Sequence, residues 1–368
     1  MTIDSHIHFY MIANPQELID ALDMTGCAYG NLVATNSNYI ASRTIDNLYG
    51  KHYSKGRFYC YGALDTTLYY DRRNMGERMV EHVKEILECG CDGIKMLEGK
   101  PSARKRLPIP DFDDPLFEPY WDYMEKNLIP IVWHVNDPEE FWSDELVPDW
   151  ARRSGWYYGE GDWVNNEDQY RQIDNVLKRH PNLQITFAHF YFLSAQLDRL
   201  SKIFDACPNV GVDITPGIEL FTNLSKNIEE ARKFFIKYQD RIYYGTDISR
   251  DEEEDLEYEI EDSKIRGKLC HDFLMKDKVF IKGDERSLLG KDDLDINGLA
   301  LEKDVYEKIL SGNFIRVNGD KPKEVNVLKV LKEIEKEKDR NRFLAKKQNK
   351  EPDLHILDFC EEYFKKQL

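Results

Sequence analysis

The sequence predicts an α/β fold: a closed (β/α)8 TIM barrel followed by a C-terminal helical extension. Three observations predict it. Eight short, β-rich apolar runs recur through roughly the first 250 residues, amphipathic helical patterns separate them, and ionisable side chains repeat where the runs end.

The runs are Thr2–Phe9, Gly30–Ala34, Phe58–Ala63, Gly93–Leu97, Ile129–Val135, Gln184–Phe190, Val210–Ile214 and Ile242–Thr246. Between them, Gly76–Cys89, Pro115–Lys126, Asp168–Arg179 and Leu193–Ala206 repeat apolar residues at helical spacing. Strands alternating with helices imply parallel βαβ units, and eight of them suit a closed barrel better than an open doubly wound sheet. Two connections exceed the usual length of roughly 2–6 residues. The one over Asn136–Asn166 carries Phe141, Trp142, Trp150, Trp156, Tyr157, Tyr158 and Trp163. It leaves the C-terminal end of a strand, where barrel sites assemble, so it reads as a pocket wall or lid. Trp142 and Trp156 are its leading substrate-facing candidates. The other, after the eighth strand, holds the acidic run Asp251–Asp262, which reads as a solvated loop or helix face. Leu301–Ser311 closes the barrel as its last helix, with Gly312-Asn313 as a stop signal. Lys323–Lys347 and Leu354–Lys366 then form Lys- and Glu-rich helices. The expected division is a barrel over 1–317 and a helical extension over 318–368. The extension either packs on the barrel or makes a dimer contact, so a homo-oligomer is expected.

Composition narrows the function classes. A net charge of −17 repels phosphate backbones and argues against nucleic-acid substrates, which favours a small molecule. No run approaches the roughly 20 apolar residues of a membrane span, and Met1-Thr2-Ile3-Asp4 lacks the features of a signal peptide, so a cytoplasmic location is expected. The seven cysteines have no framework spacing and read as reduced thiols. Cys89-Gly90-Cys91 has no second pair to complete a metal site and reads as packing.

The chemistry lies at the strand ends. His6 and His8 sit two apart on the first strand, so both side chains point to one side. Lys95 lies near the end of the fourth strand, His134 ends the fifth, His189 the sixth and Asp247 the eighth. Each alone has a bland reading: a hydrogen-bonded core histidine, or an aspartate capping a turn. Together they point to a shared cation, because ionisable groups are costly to bury unpaired. Imidazoles and a carboxylate suit zinc, manganese or iron(II). His52, His82, His180, His271 and His355 fall on loops or polar helix faces and read as surface residues. Arg43, Arg72, Arg73 and Arg250 could meet a substrate carboxylate, but none stands out.

The pattern Asp4-Ser5-His6-Ile7-His8, Gly93-Ile94-Lys95, Trp133-His134, Ala188-His189-Phe190 and Tyr244-Gly245-Thr246-Asp247 resembles the amidohydrolase superfamily. More narrowly it resembles the amidohydrolase 2 branch, which contains the aminocarboxymuconate-semialdehyde decarboxylase-like enzymes. Gly298-Leu299-Ala300 and Ser311-Gly312-Asn313 fit the same branch, and the resemblance covers about residues 2–317. It implies that His6, His8, His134 and Asp247 ligate one divalent metal, zinc before manganese or iron. His189 would then act as a near-metal acid/base, a duty Asp247 could share, and Lys95 would bind substrate. The implied reaction is hydrolysis of an amide, ester or lactone of a small substrate, aromatic or carboxylate-bearing, by an activated water. Decarboxylation at the same site is the alternative. A metal-dependent deoxyribonuclease fits less well, since that pattern has Glu where this chain has Lys95. A non-catalytic barrel would hold no metal.

Overall fold

The computed structural model describes residues 1–10, 13–37, 40–217, 219–284 and 292–368. Nine parallel strands form one curled sheet: β1 (Thr2–Tyr10), β2 (Cys27–Val33), β3 (Phe58–Ala63), β4 (Gly93–Gly99), β5 (Ile131–Val135), β6 (Ile185–Phe187), β7 (Val210–Asp213), β8 (Ile242–Tyr243) and β9 (Ile248–Asp251). Their order is β8-β7-β6-β5-β4-β3-β2-β1-β9, with helices between successive strands from β1 to β8. This is the (β/α)8 barrel, with its eighth position divided.

The division has a visible cause. β8 pairs with β7, whereas β9 pairs with β1. The chain between them completes the seam, since Ser5 N donates to Tyr244 O and Asp247 N donates to His6 O, both at 2.9 Å. Asp4 fastens the join from beneath: its carboxylate accepts from Thr246 N at 3.1 Å and from Thr246 Oγ1 at 2.5 Å. Burial pushes the Asp4 carboxyl up to about 7 against these bonds. The expected strand Ile242–Thr246 therefore stops at Tyr243, and Asp247 takes a left-handed backbone with φ of 59°.

Elsewhere the helical patterns act as expected. Met75, Met79, Val83 and Ile86 form the buried face of the helix Met75–Glu88. Each fully buried side chain of this kind contributes about 1.5–3 kcal/mol. Trp133 of β5 packs edge-on against Phe112 at 4.9 Å and lies 5.2 Å from Trp121 of the helix Glu118–Lys126, which anchors the strand that carries His134. Gly99 is required where β4 meets β5, because a Cβ there would lie 2.4 Å from His134 O. All seven cysteines are buried and free, in keeping with packing.

Several expectations need correction. Gly312 does not stop the last barrel helix. The chain passes through it in a wide turn (Lys308–Gly312) into a further helix, Asn313–Asn318, and turns only at Gly319, whose φ is 83°. Asn313 is drawn inward because its side-chain amide donates to Gln239 O and Ile242 O at 2.7 and 2.8 Å. His82 and His180 are not surface residues but buried ones, 4% and 2% exposed. Each is covered by polar partners from other elements. His82 Nε2 bonds Ala63 O at 3.1 Å, and His180 meets Glu118 at 3.0 Å and Glu125 at 3.3 Å. The acidic run opens the helix Leu256–Met275, and one of its members, Glu259, is buried. Glu259 pairs with Arg250 at 2.8 Å, and Glu17 meets the same guanidinium at 2.5 Å, so Arg250 is already taken. Helices Val327–Lys347 and His355–Lys365 pack together on the barrel flank. Among the described residues, no helix is long and apolar enough to cross a membrane.

Candidate metal centre

His6 and His8 project from β1 into the mouth of the barrel, and each has one ring nitrogen committed. His6 Nδ1 bonds Asp213 Oδ2 at 2.9 Å, and His8 Nδ1 bonds Val33 O at 3.1 Å. With those nitrogens as donors, both Nε2 atoms carry their lone pairs toward the cavity. His8 Nε2 lies 3.1 Å and His6 Nε2 3.6 Å from Asp247 Oδ1. One donor atom from each of the three residues falls within 4.8 Å of the others. Two imidazole nitrogens and a carboxylate oxygen at this spacing fit a divalent cation of the zinc class, and the carboxylate behind His6 is the outer partner such ligands use.

Electrostatics favour a neutral His8 imidazole and charged carboxylates here. Burial lowers the pKa of His8. Burial also works to raise Asp213 and Asp247, but the surrounding imidazoles outweigh it. Asp213 is held at about 2 and Asp247 well below the usual carboxylate range. Lys95 is 1% exposed, its Nζ is 3.1 Å from His6 Nε2, and burial brings it down to about 8. It therefore contacts the same lone pair that a cation would use, with a charge weakened by burial. Arg266, reaching over from the helix Leu256–Met275, donates to Asp247 O at 3.3 Å and lies 3.6 Å from Asp247 Oδ2.

His189 owes its place to an unusual backbone. β6 ends at Phe187, and His189, Phe190, Tyr191 and Phe192 all take left-handed conformations, with φ of 54°, 57°, 59° and 53°. Each such non-glycine residue costs roughly 1–2 kcal/mol, so surrounding bonds must hold the turn. His189 N donates to Asp213 Oδ1 at 2.8 Å, Thr215 Oγ1 lies 3.2 Å from His189 Nδ1, and Phe192 stacks on the ring at 5.3 Å. Burial brings His189 down to about 3.

His134 shares the cavity, its ring 4.9 Å from that of His189, but it stands outside the three-residue cluster. Its Nε2 faces Asp137 Oδ1 at 3.2 Å. Burial brings it down to about 4. The cavity, of about 430 Å3, is lined by His6, His8, Lys95, His134, His189 and Asp247, and walled by Phe141, Trp150 and Trp156 of the aromatic insertion. Trp156 thus stands where expected. Trp142 does not line the cavity: on the tight turn Glu139–Trp142 neighbouring side chains diverge by about 120°, so Phe141 faces in while Trp142 packs on Tyr158 at 4.9 Å. Trp150 takes the wall position instead. A larger groove of about 1150 Å3, between residues 51–56 and 321–325, contains none of these groups.

The sequence reading overlooked Asp213, Asp137 and Arg266. Asp213 ends a strand like the other site residues, so the same criterion could have found it. Arg266 sits on a helix with no local signal.

The chain belongs to the Amidohydrolase family, whose sequence profile matches residues 79–317. Among curated proteins none matches. Solved structures are similar to the chain. An amidohydrolase II structure is similar with a TM-score of 0.51 at 12% identity, covering 87% of this chain and 100% of its own. A Pseudomonas putida protein, provisionally described as a 2-pyrone-4,6-dicarboxylic acid hydrolase, is similar with a TM-score of 0.48 at 12% identity, covering 86% and 97%.

Proposed function

We propose that this member of the Amidohydrolase family is a metal-dependent hydrolase acting on the amide, ester or lactone carbonyl of a small substrate. The observation that carries the reading is the convergence of His6 Nε2, His8 Nε2 and Asp247 Oδ1 at the floor of an aromatic-walled cavity. These three residues would hold one divalent ion, zinc before manganese or iron. When bound, the ion supplies Lewis acidity to water and to the carbonyl oxygen. Asp213 keeps His6 turned with Nε2 toward the ion. Asp247, with its second oxygen under Arg266, takes the proton of the attacking water, and the neutral His189 ring, clamped by Thr215 and Phe192, exchanges protons on the leaving-group side. Lys95 binds an anionic group of the substrate. Phe141, Trp150 and Trp156 exclude water and favour a flat or ring-bearing molecule. Residues 318–368 are proposed as a helical extension to a barrel over 1–317.

The test is metal content alongside turnover. Protein purified without chelator should hold about one divalent ion per chain and hydrolyse some members of a panel of aryl esters, lactones and N-acyl amides. Chelation should abolish the activity and zinc should restore it. Protein that binds no zinc or manganese when either is added would end this reading.

A further inference from the structure

The aromatic insertion meets the barrel at a junction of buried polar side chains. Asp137, 2% exposed and two residues beyond β5, is its centre. Asp137 Oδ1 accepts from Lys100 Nζ at 2.8 Å and faces His134 Nε2 at 3.2 Å, while Oδ2 accepts the Tyr158 hydroxyl at 2.6 Å. Lys100 in turn lies against the Trp156 ring, its Nζ 4.4 Å from the centroid. Two residues of the insertion therefore converge on the Lys100–Asp137 pair, and that pair holds His134.

A carboxylate beside Nε2 draws the imidazole proton to that nitrogen and leaves Nδ1 as the lone-pair atom. The remainder of the insertion is built to be held at this point. Phe141, Val147, Ala151 and Tyr158 form an apolar cluster of their own, apart from the barrel core. The segment is otherwise tied down by polar contacts such as Asn136 Nδ2 to Asn166 O and Lys105 Nζ to Asp162 O, at 3.3 and 2.5 Å. Trp156 and Phe141 also line the cavity, so a molecule resting on them rests beside the junction.

We propose that Asp137 is a positioning residue that seats the aromatic insertion over the cavity and sets the tautomer and orientation of His134 in the same act. Seating of Tyr158 and ordering of the His134 ring are then one event. Any duty of His134 in turnover rests on the hydrolase reading above; the coupling itself does not.

The experiment uses the full chain loaded with zinc, comparing the unaltered protein with Tyr158→Phe and Asp137→Asn. Amide hydrogen exchange is followed over residues 139–163, and the His134 ring nitrogens are followed by nitrogen-15 spectroscopy. Tyr158→Phe removes one oxygen that bonds a carboxylate, so exchange in the insertion should quicken about tenfold or more. The His134 ring signals should move from the Nε2-protonated tautomer toward averaged values, and Asp137→Asn should strengthen both changes. If Asp137→Asn does not fold, Tyr158→Phe decides alone. Faster exchange with unmoved His134 signals, or no change in exchange, would overturn the coupling. So would loss of the Nε2 proton on adding zinc to the unaltered protein, because Asp137 would then not hold the tautomer. Zinc content measured on the same samples keeps a failure of the metal reading separate, because the exchange and tautomer comparison can be made on apoprotein.

Discussion

Two clusters of histidine and carboxylate in this molecule look alike as residue types and differ in what completes them. At the barrel mouth, His6, His8 and Asp247 gather their donor atoms beside a cavity. On the barrel flank, His82, Glu85 and Glu333 gather theirs where the helix Val327–Lys347 packs on the helix Met75–Glu88. The flank supplies its own cation. Arg340 donates to Glu333 at 2.5 Å, Glu337 at 2.8 Å and Asp65 at 3.0 Å, and to His82 Nδ1 at 3.3 Å, while His82 Nε2 is spent on Ala63 O. Each donor there sits on regular structure and has a protein partner. At the mouth both Nε2 atoms line a cavity, their nearest partners, Lys95 and Asp247, being members of the site itself, and the neighbouring backbone at His189–Phe192 and Asp247 is strained. Backbone strain of this kind gathers at functional sites. The flank cluster is thus a fastening and the mouth cluster a candidate centre, a distinction that residue types alone do not make.

The largest expected effect separates the two outright. His8→Ala should reduce bound metal from about one ion per chain to background, whereas Arg340→Ala should leave metal content unchanged; elemental analysis of both variants checks this, and metal loss in Arg340→Ala would erase the distinction. Next, His189→Asn should keep its metal and lose on the order of 10²–10⁴ in rate, read by steady-state kinetics on whichever panel substrate turns over. Metal loss in that variant would move His189 into the ligand set. Arg340→Ala, by leaving three carboxylates without their buried cation, should destabilise the fold by about 3–5 kcal/mol, seen as a lower urea midpoint. A midpoint within error of the unaltered protein would show that the flank network holds nothing. Asp213→Asn should weaken metal affinity by about 10–100-fold, because it loosens only the outer partner of His6; titration calorimetry measures it.

The smallest effect is on pH. His134 and His189 are brought from 6.5 to about 4 and about 3 by burial. Between pH 6.5 and about 4 the unfolded chain therefore binds protons that the folded chain refuses, so metal-free protein should lose stability as pH falls through that window. His189→Asn should flatten the slope of urea midpoint against pH. An unchanged slope would mean the ring is already charged in the folded state.

What could be read from the sequence alone was whatever local pattern determines. Alternation placed His6 and His8 on one side of a strand, the ends of apolar runs located His134, His189 and Asp247, and the strand–helix rhythm specified the barrel. Even the insertion was legible, because seven large aromatics in one connection demand burial. Partnership was not legible. That Asp213 turns His6, that Arg266 reaches Asp247 from a helix, and that Arg340 covers His82 from 258 residues away all depend on closure of the ring and docking of the last helices. The passage of the chain through Gly312 was likewise decided by neighbours distant in sequence, since Asn313 bonds Gln239 O and Ile242 O. Periodicity sets the side of an element on which a residue lies within a few residues of chain. Which buried donor finds which acceptor is settled only when distant segments meet, since the cost of leaving either one unpaired arises only after water has been excluded from both.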